Sequence, residues 1–144
     1  GSAREERKVW DHEIAGKIRK MGAAAFSDYW ADLPIIRSQR AIPEPWKTRL
    51  RRRRREGNGE GWARSIESMG TGEMPPLWSR LNQFVRPTLV VVGEEDASYR
   101  GISARIADLL PDSRLWVTPG VGHAAHLESP RRFARALAPF LFED

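Results

Sequence analysis

A chain of 144 residues has the length of one domain, and without cysteine it offers neither a disulfide framework nor thiolate metal ligands, which fits a reducing cytosol. No apolar run approaches the roughly 20 residues needed to span a bilayer, and GSAREERKVW has no apolar signal-peptide core, so the sequence reads as soluble and cytoplasmic. The net charge of +5 is a local feature: KTRLRRRRR, residues 47 to 55, holds seven positive charges and no acid, leaving 17 basic residues against 19 acidic ones elsewhere.

The opening Gly1-Ser2 reads as a cloning scar or as the point at which a longer chain was cut. From Ala3 to Met21, apolar residues at Trp10, Ile14, Ile18 and Met21 keep helical spacing, with Gly22 as a stop. AAAFSDYWADLPII reads as a second helix broken at Pro34. AIPEPWKTRLRRRRREGNGEG reads as a third, starting near Pro45 and ending in its Gly/Asn cluster, and GWARSIESMG as a short fourth. The pattern changes after Met74-Pro75-Pro76. LWSRLNQF gives one or two helical turns, and VRPTLVVVGEED reads as a fully buried parallel strand, being β-branched and ending in Gly and acids. SYRGISARIADLLPD is helical with Ile102, Ile106, Leu109 and Leu110 on one side. SRLWVTPG is a second strand, and Ser129-Pro130 opens the last helix, RRFARALAPFLF. The second half is therefore β-α-β-α, as in a parallel sheet with crossover helices. Two such strands do not make a stable sheet alone, so the chain reads as part of an α/β fold, with an apolar sheet face expected to pair with further polypeptide or with another copy of this chain.

In open α/β sheets, functional residues lie just past the carboxyl ends of the strands. Asp96 follows LVVVG there, and His123 follows LWVTP after two glycines that let the backbone turn tightly. An aspartate in the first loop can accept an imidazole N–H from the second, fix its tautomer and stabilise the imidazolium, leaving the other ring nitrogen as a general base. Each residue alone has a plainer reading: a hydrogen-bonded loop histidine for His123, and the N-cap of the following helix for Asp96. Their corresponding places on consecutive strands favour the pair.

From PTLVVVGEED to RRFARAL the chain resembles the C-terminal part of α/β-hydrolase-fold enzymes, whose triad runs Ser, Asp, His in chain order. GEEDASY, PGVGHAAHLESP, SDYWADLPIIRSQ and SIESMGTGEMPPLW look most like the 2-succinyl-6-hydroxy-2,4-cyclohexadiene-1-carboxylate synthases of menaquinone and phylloquinone biosynthesis. The resemblance implies residues 1–75 as a helical cap and 76–144 as the last two strands and helices of the core. It implies Asp96 as triad acid, His123 as triad base, and Arg7, Trp30 and Arg55 as substrate-binding cap residues, with Lys8 and Arg54 able to replace the two arginines under a one-residue shift. It implies a small polycarboxylate substrate, elimination of pyruvate, and no cofactor or metal. The same fold also serves ester or other acyl hydrolysis, the alternative chemistry. No Gly-x-Ser-x-Gly and no His-Gly-Gly-like segment occurs in the 144 residues, so the nucleophile half is expected to be absent and the chain inactive alone.

Five successive arginines advance about 100° each around a helix, so at least one of Arg51 to Arg55 must face the protein. A solvated helix, a carboxylate-binding role for one or two members, and binding of an acidic partner are the three readings. The absence of interleaved aromatics speaks against nucleic acid. His126 lies three residues after His123 without an evident third ligand, which argues against a metal.

Overall fold

The computed structural model describes residues 2–142. Gly1, half of the Gly1-Ser2 reading, lies outside them, as do Glu143 and Asp144 at the end of the expected second region. The chain forms two compact units, one of the residues up to Asp32 with Thr48–Pro76, the other of Leu33–Lys47 with the residues from Leu77 on. Residues 33–47, which the sequence groups with the helical half, thus pack with the C-terminal residues.

The first unit is helical. Helix α1 runs Ser2–Ala31, but Gly22 leaves helical geometry (φ 73°, ψ 165°), so two helices meet where the sequence shows a stop. A positive φ is open to glycine at little steric cost. Helix α2 is Trp46–Arg55 and α3 is Gly59–Met69. Asn58, expected within the end of a helix, caps the start of α3 by accepting from the Gly61 N–H at 2.9 Å.

Ile14, Ala15, Ile18 and Phe26 of α1 form a core with Ala63 of α3, and Tyr29, Trp30, Trp62 and Ile66 pack around it. Each fully buried isoleucine contributes about 1.5–3 kcal/mol relative to an exposed one. The two other residues of the expected stripe, Trp10 and Met21, stay exposed at its ends. A buried carboxylate closes the unit: Asp11 accepts from Arg7 Nε at 2.8 Å and from the Gly72 N–H at 3.3 Å. Arg19 on α1 bridges Glu67 and Glu60 on α3, and its guanidinium holds both carboxyls below the usual carboxylate range.

The second unit carries the sheet. After a 3-10 turn at Trp78–Gln83 come β1 (Thr88–Gly93), α4 (Ala97–Leu109), β2 (Ser113–Thr118), α5 (Ala125–Glu128) and α6 (Pro130–Phe142). β1 and β2 pair in parallel with Thr88 opposite Ser113 and Gly93 opposite Thr118, which brings their carboxyl ends level. The sequence predicts a fully buried β1, but only Val92 and Gly93 are buried, and Leu115, Trp116 and Val117 of β2 are exposed. A two-stranded sheet leaves an edge of each strand without a strand partner among the described residues, although α4, α5 and α6 pack against it. Ile102 is likewise exposed, whereas Leu110 is buried. Among the described residues no helix is long and apolar enough to cross a membrane.

Candidate active site

The loops after β1 and β2 are laced together by backbone. The Glu94 N–H donates to the Thr118 carbonyl and the Glu95 N–H to the Val121 carbonyl, both at 2.9 Å. Gly120 takes a left-handed φ of 62°, and Gly122 lies so close to Ser38 that a Cβ would overlap its side chain. The two glycines noted in the sequence thus have different tasks, one turning the chain and the other admitting a neighbour.

Where these loops meet, His123 Nδ1 and Asp96 Oδ2 are 2.7 Å apart. The other oxygen, Asp96 Oδ1, accepts from the Tyr99 N–H at 3.1 Å and caps α4. Asp96 thus makes the contact to the imidazole with one oxygen and the helix N-cap with the other. A carboxylate only accepts, so a ring proton lies on Nδ1, and in the neutral imidazole the lone pair is then on Nε2. The Asp96 side chain is 4% exposed and that of His123 is 30% exposed. A shielded anion behind a partly open ring suits a base that takes a proton from outside and keeps its orientation. Tyr99 packs on the imidazole at 4.9 Å between ring centres. Both residues line a cavity of about 130 Å³ with Val91, Val92, Gly93, Tyr99, Ser103, His126 and Phe133. His126, on α5, sets its ring against Phe133. No cluster of three or more His, Cys, Asp or Glu able to hold a metal occurs among the described residues.

The other nominated residues lie in the first unit. Arg7 is paired with Asp11 and stacked 4.6 Å from the Trp10 ring, and Lys8 is paired with Glu73 at 3.3 Å. Arg55 and Arg51 both reach Asp28; Arg55 foremost, with Arg51 helping, holds that carboxyl below its usual range. Trp30 lines an apolar cavity of about 180 Å³ with Ile18, Phe26, Ser27, Trp62 and Ile66, and Arg54 is the one charged residue of that lining. No hydrogen bond or ion pair reaches the Arg54 side chain among the described residues, and burial pushes its guanidinium below the usual arginine range. Of the five arginines, the structure turns Arg54 into the cavity.

The alpha/beta hydrolase family model matches residues 6–136. The chain belongs to the alpha/beta hydrolase family. Among relatives in this family, a Bacillus subtilis protein named as a 2-succinyl-6-hydroxy-2,4-cyclohexadiene-1-carboxylate synthase is 37% identical over 96% of this chain and 50% of its own length. The synthase of that name from Photorhabdus laumondii is 30% identical over 96% of this chain and 47% of its own length. The structure of MenH from S. aureus superposes with a TM-score of 0.94 at 30% identity, covering 99% of this chain and 53% of that one. The chain thus spans about half the length of each of these three proteins. The likeness to the synthases seen in the short segments extends over nearly all of it.

Proposed function

We propose that this chain is the cap and C-terminal portion of an α/β-hydrolase-fold carbon–oxygen lyase that eliminates pyruvate from a succinyl-cyclohexene carboxylate in menaquinone or phylloquinone biosynthesis. The observation that carries the reading is the bond between Asp96 Oδ2 and His123 Nδ1, which leaves an oriented basic nitrogen in a chain similar to synthases of that name. In the proposed reaction a ring C–H proton passes to His123 Nε2 by way of a serine oxygen. The electron pair left behind forms the new C=C bond, and the ring C–O bond breaks with its electron pair going to the departing three-carbon enolate. That enolate takes up the proton held by His123, or one from water with His123 returning its own to solvent, and leaves as pyruvate. Asp96 stabilises the imidazolium that forms transiently. The 144 residues contain no Gly-x-Ser-x-Gly, so the serine and the oxyanion donors are proposed to come from polypeptide outside them, which would also complete the two-stranded sheet.

Substrate carboxylate binding is assigned to Arg54 beside Trp30. Arg7 and Arg55 already have carboxylate partners in Asp11 and Asp28, whereas Arg54 presents an unpaired fork in an apolar cavity, where a bidentate carboxylate gains most. Arg54→Ala in the complete enzyme is expected to lower kcat/KM for pyruvate release by about 10- to 100-fold, the loss of one charge-assisted hydrogen-bonded contact. Hydrolysis of a simple uncharged ester should not change. Arg53→Ala, which removes an exposed neighbour, is the control. Equal effects of the two substitutions, or equal effects of Arg54→Ala on both substrates, would remove Arg54 from this role.

A further inference from the structure

A second buried carboxylate stands behind His123. Glu128, the last residue of α5, is 7% exposed and accepts three hydrogen bonds. The Gly122 N–H donates to Oε2 at 2.7 Å, and the Ala124 N–H and Ser38 hydroxyl donate to Oε1 at 2.9 and 2.8 Å. The residue between those two amides is His123. Its own N–H donates to Ser38 Oγ at 3.3 Å, so three successive backbone amides converge on one carboxylate, the middle one by way of a serine. Successive N–H groups aimed at one point form a cradle that binds anions, and here the occupant is part of the same chain. No arginine or lysine pairs with Glu128 among the described residues, so N–H and O–H dipoles alone compensate its charge.

We infer that Glu128, with Ser38, is a positioning residue for His123: it fixes the backbone on both sides of the base so that the ring meets Asp96 at hydrogen-bonding distance. A histidine on a glycine-flanked loop has many backbone conformations to lose, and the entropy of ordering it must be offset before the ring can be held. The cradle orders residues 122–124 whether or not the ring is engaged. It thereby lowers the cost of the Asp96 contact and of restoring the ring after each proton transfer. Ser38 lies 85 residues from His123 in sequence, so the segment Leu33–Lys47 acts as a strut for the histidine loop. The inference rests on His123 being the proton-transfer group, but it is tested without turnover.

Glu128→Gln keeps the size of the side chain and replaces one acceptor oxygen with an NH₂ donor, which must face at least one of the three donors. Ser38→Ala keeps the Cβ and removes only the relay. The measurement is nitrogen and proton NMR of the imidazoles in the protein, following exchange of the His123 Nδ1–H with solvent, with His12 and His126 as internal references. In both variants that proton is expected to exchange about tenfold faster, the effect of losing one buried hydrogen bond, while His12 and His126 stay as in the parent. Unchanged His123 exchange in a folded Glu128→Gln or Ser38→Ala protein would overturn the inference. If Asp96→Asn also left the His123 signal unchanged, the fault would lie in the Asp96–His123 pairing itself, which separates the two failures. Should Glu128→Gln not fold, Ser38→Ala decides alone.

Discussion

Asp96→Asn is expected to lower turnover of the complete enzyme by about 10⁴-fold while leaving the fold intact, the size of the loss that the same exchange causes in a Ser-His-Asp enzyme with its geometry preserved. The effect follows from hydrogen-bond inventory. Asp96 offers an acceptor on each oxygen, one to the Tyr99 N–H and one to His123 Nδ1. Asparagine keeps one acceptor and gains two donors. If its oxygen caps α4, its NH₂ faces the imidazole and favours the tautomer protonated on Nε2, which abolishes the basic lone pair. Stability should change little, because Asn and Asp are equally good N-caps. Pyruvate release and thermal unfolding on one preparation give both readings. A fall of less than tenfold with an unchanged unfolding midpoint would remove Asp96 from the proton-transfer machinery.

The second large effect is structural. At Gly93 an added Cβ would fall onto the carbonyl oxygens of Val121 and Gly122, which are backbone and cannot rotate aside. Gly93→Ala must therefore push the loop after β1 away from the loop after β2, straining the bonds from Glu94 N–H to Thr118 and from Glu95 N–H to Val121. Overpacking of this kind costs about 1–3 kcal/mol, and each bond lost adds about 1 kcal/mol. A destabilisation of about 3 kcal/mol in urea unfolding is expected from those two contributions, together with loss of the slowly exchanging His123 Nδ1–H. Gly101→Ala is the control, because a Cβ there meets no neighbour. Equal stability of the two variants would show that the close approach of the loops does not hold the site together.

These contacts also explain why some of the molecule is readable in the sequence and some is not. LVVVG and RLWVT are short β-branched runs flanked by turn residues, and the register that levels their ends follows from one crossover helix. Asp96 and His123 can therefore be nominated from position alone. The depth of burial is not readable, since it depends on how many strands flank each one, and here each strand has one strand neighbour. In the arginine run, the phase of a helix face is normally marked by a change of residue type. Five identical residues carry no such mark, so the sequence does not tell the arginine that lines the cavity, Arg54, from its neighbour Arg55, which pairs with Asp28. Gly22 and Asn58 are visible as breaks, but only the backbone shows that one kinks a helix and the other starts one. Glu128 and Ser38 escape the sequence for a different reason. A glutamate one turn beyond a glycine-flanked histidine is a faint local signal, and a serine 85 residues away is none.

The central claim is that these residues supply the acid–base pair of a pyruvate-eliminating lyase whose nucleophile lies on other polypeptide. It is tested most directly by coupled detection of pyruvate from the succinyl-cyclohexene carboxylate. One sample would contain these 144 residues alone, and a second would contain them joined to a segment carrying Gly-x-Ser-x-Gly, with and without His123→Ala. The account predicts negligible release by the chain alone, turnover by the joined protein, and loss of that turnover on His123→Ala. Full turnover by the 144 residues alone, or undiminished release without His123, would contradict it.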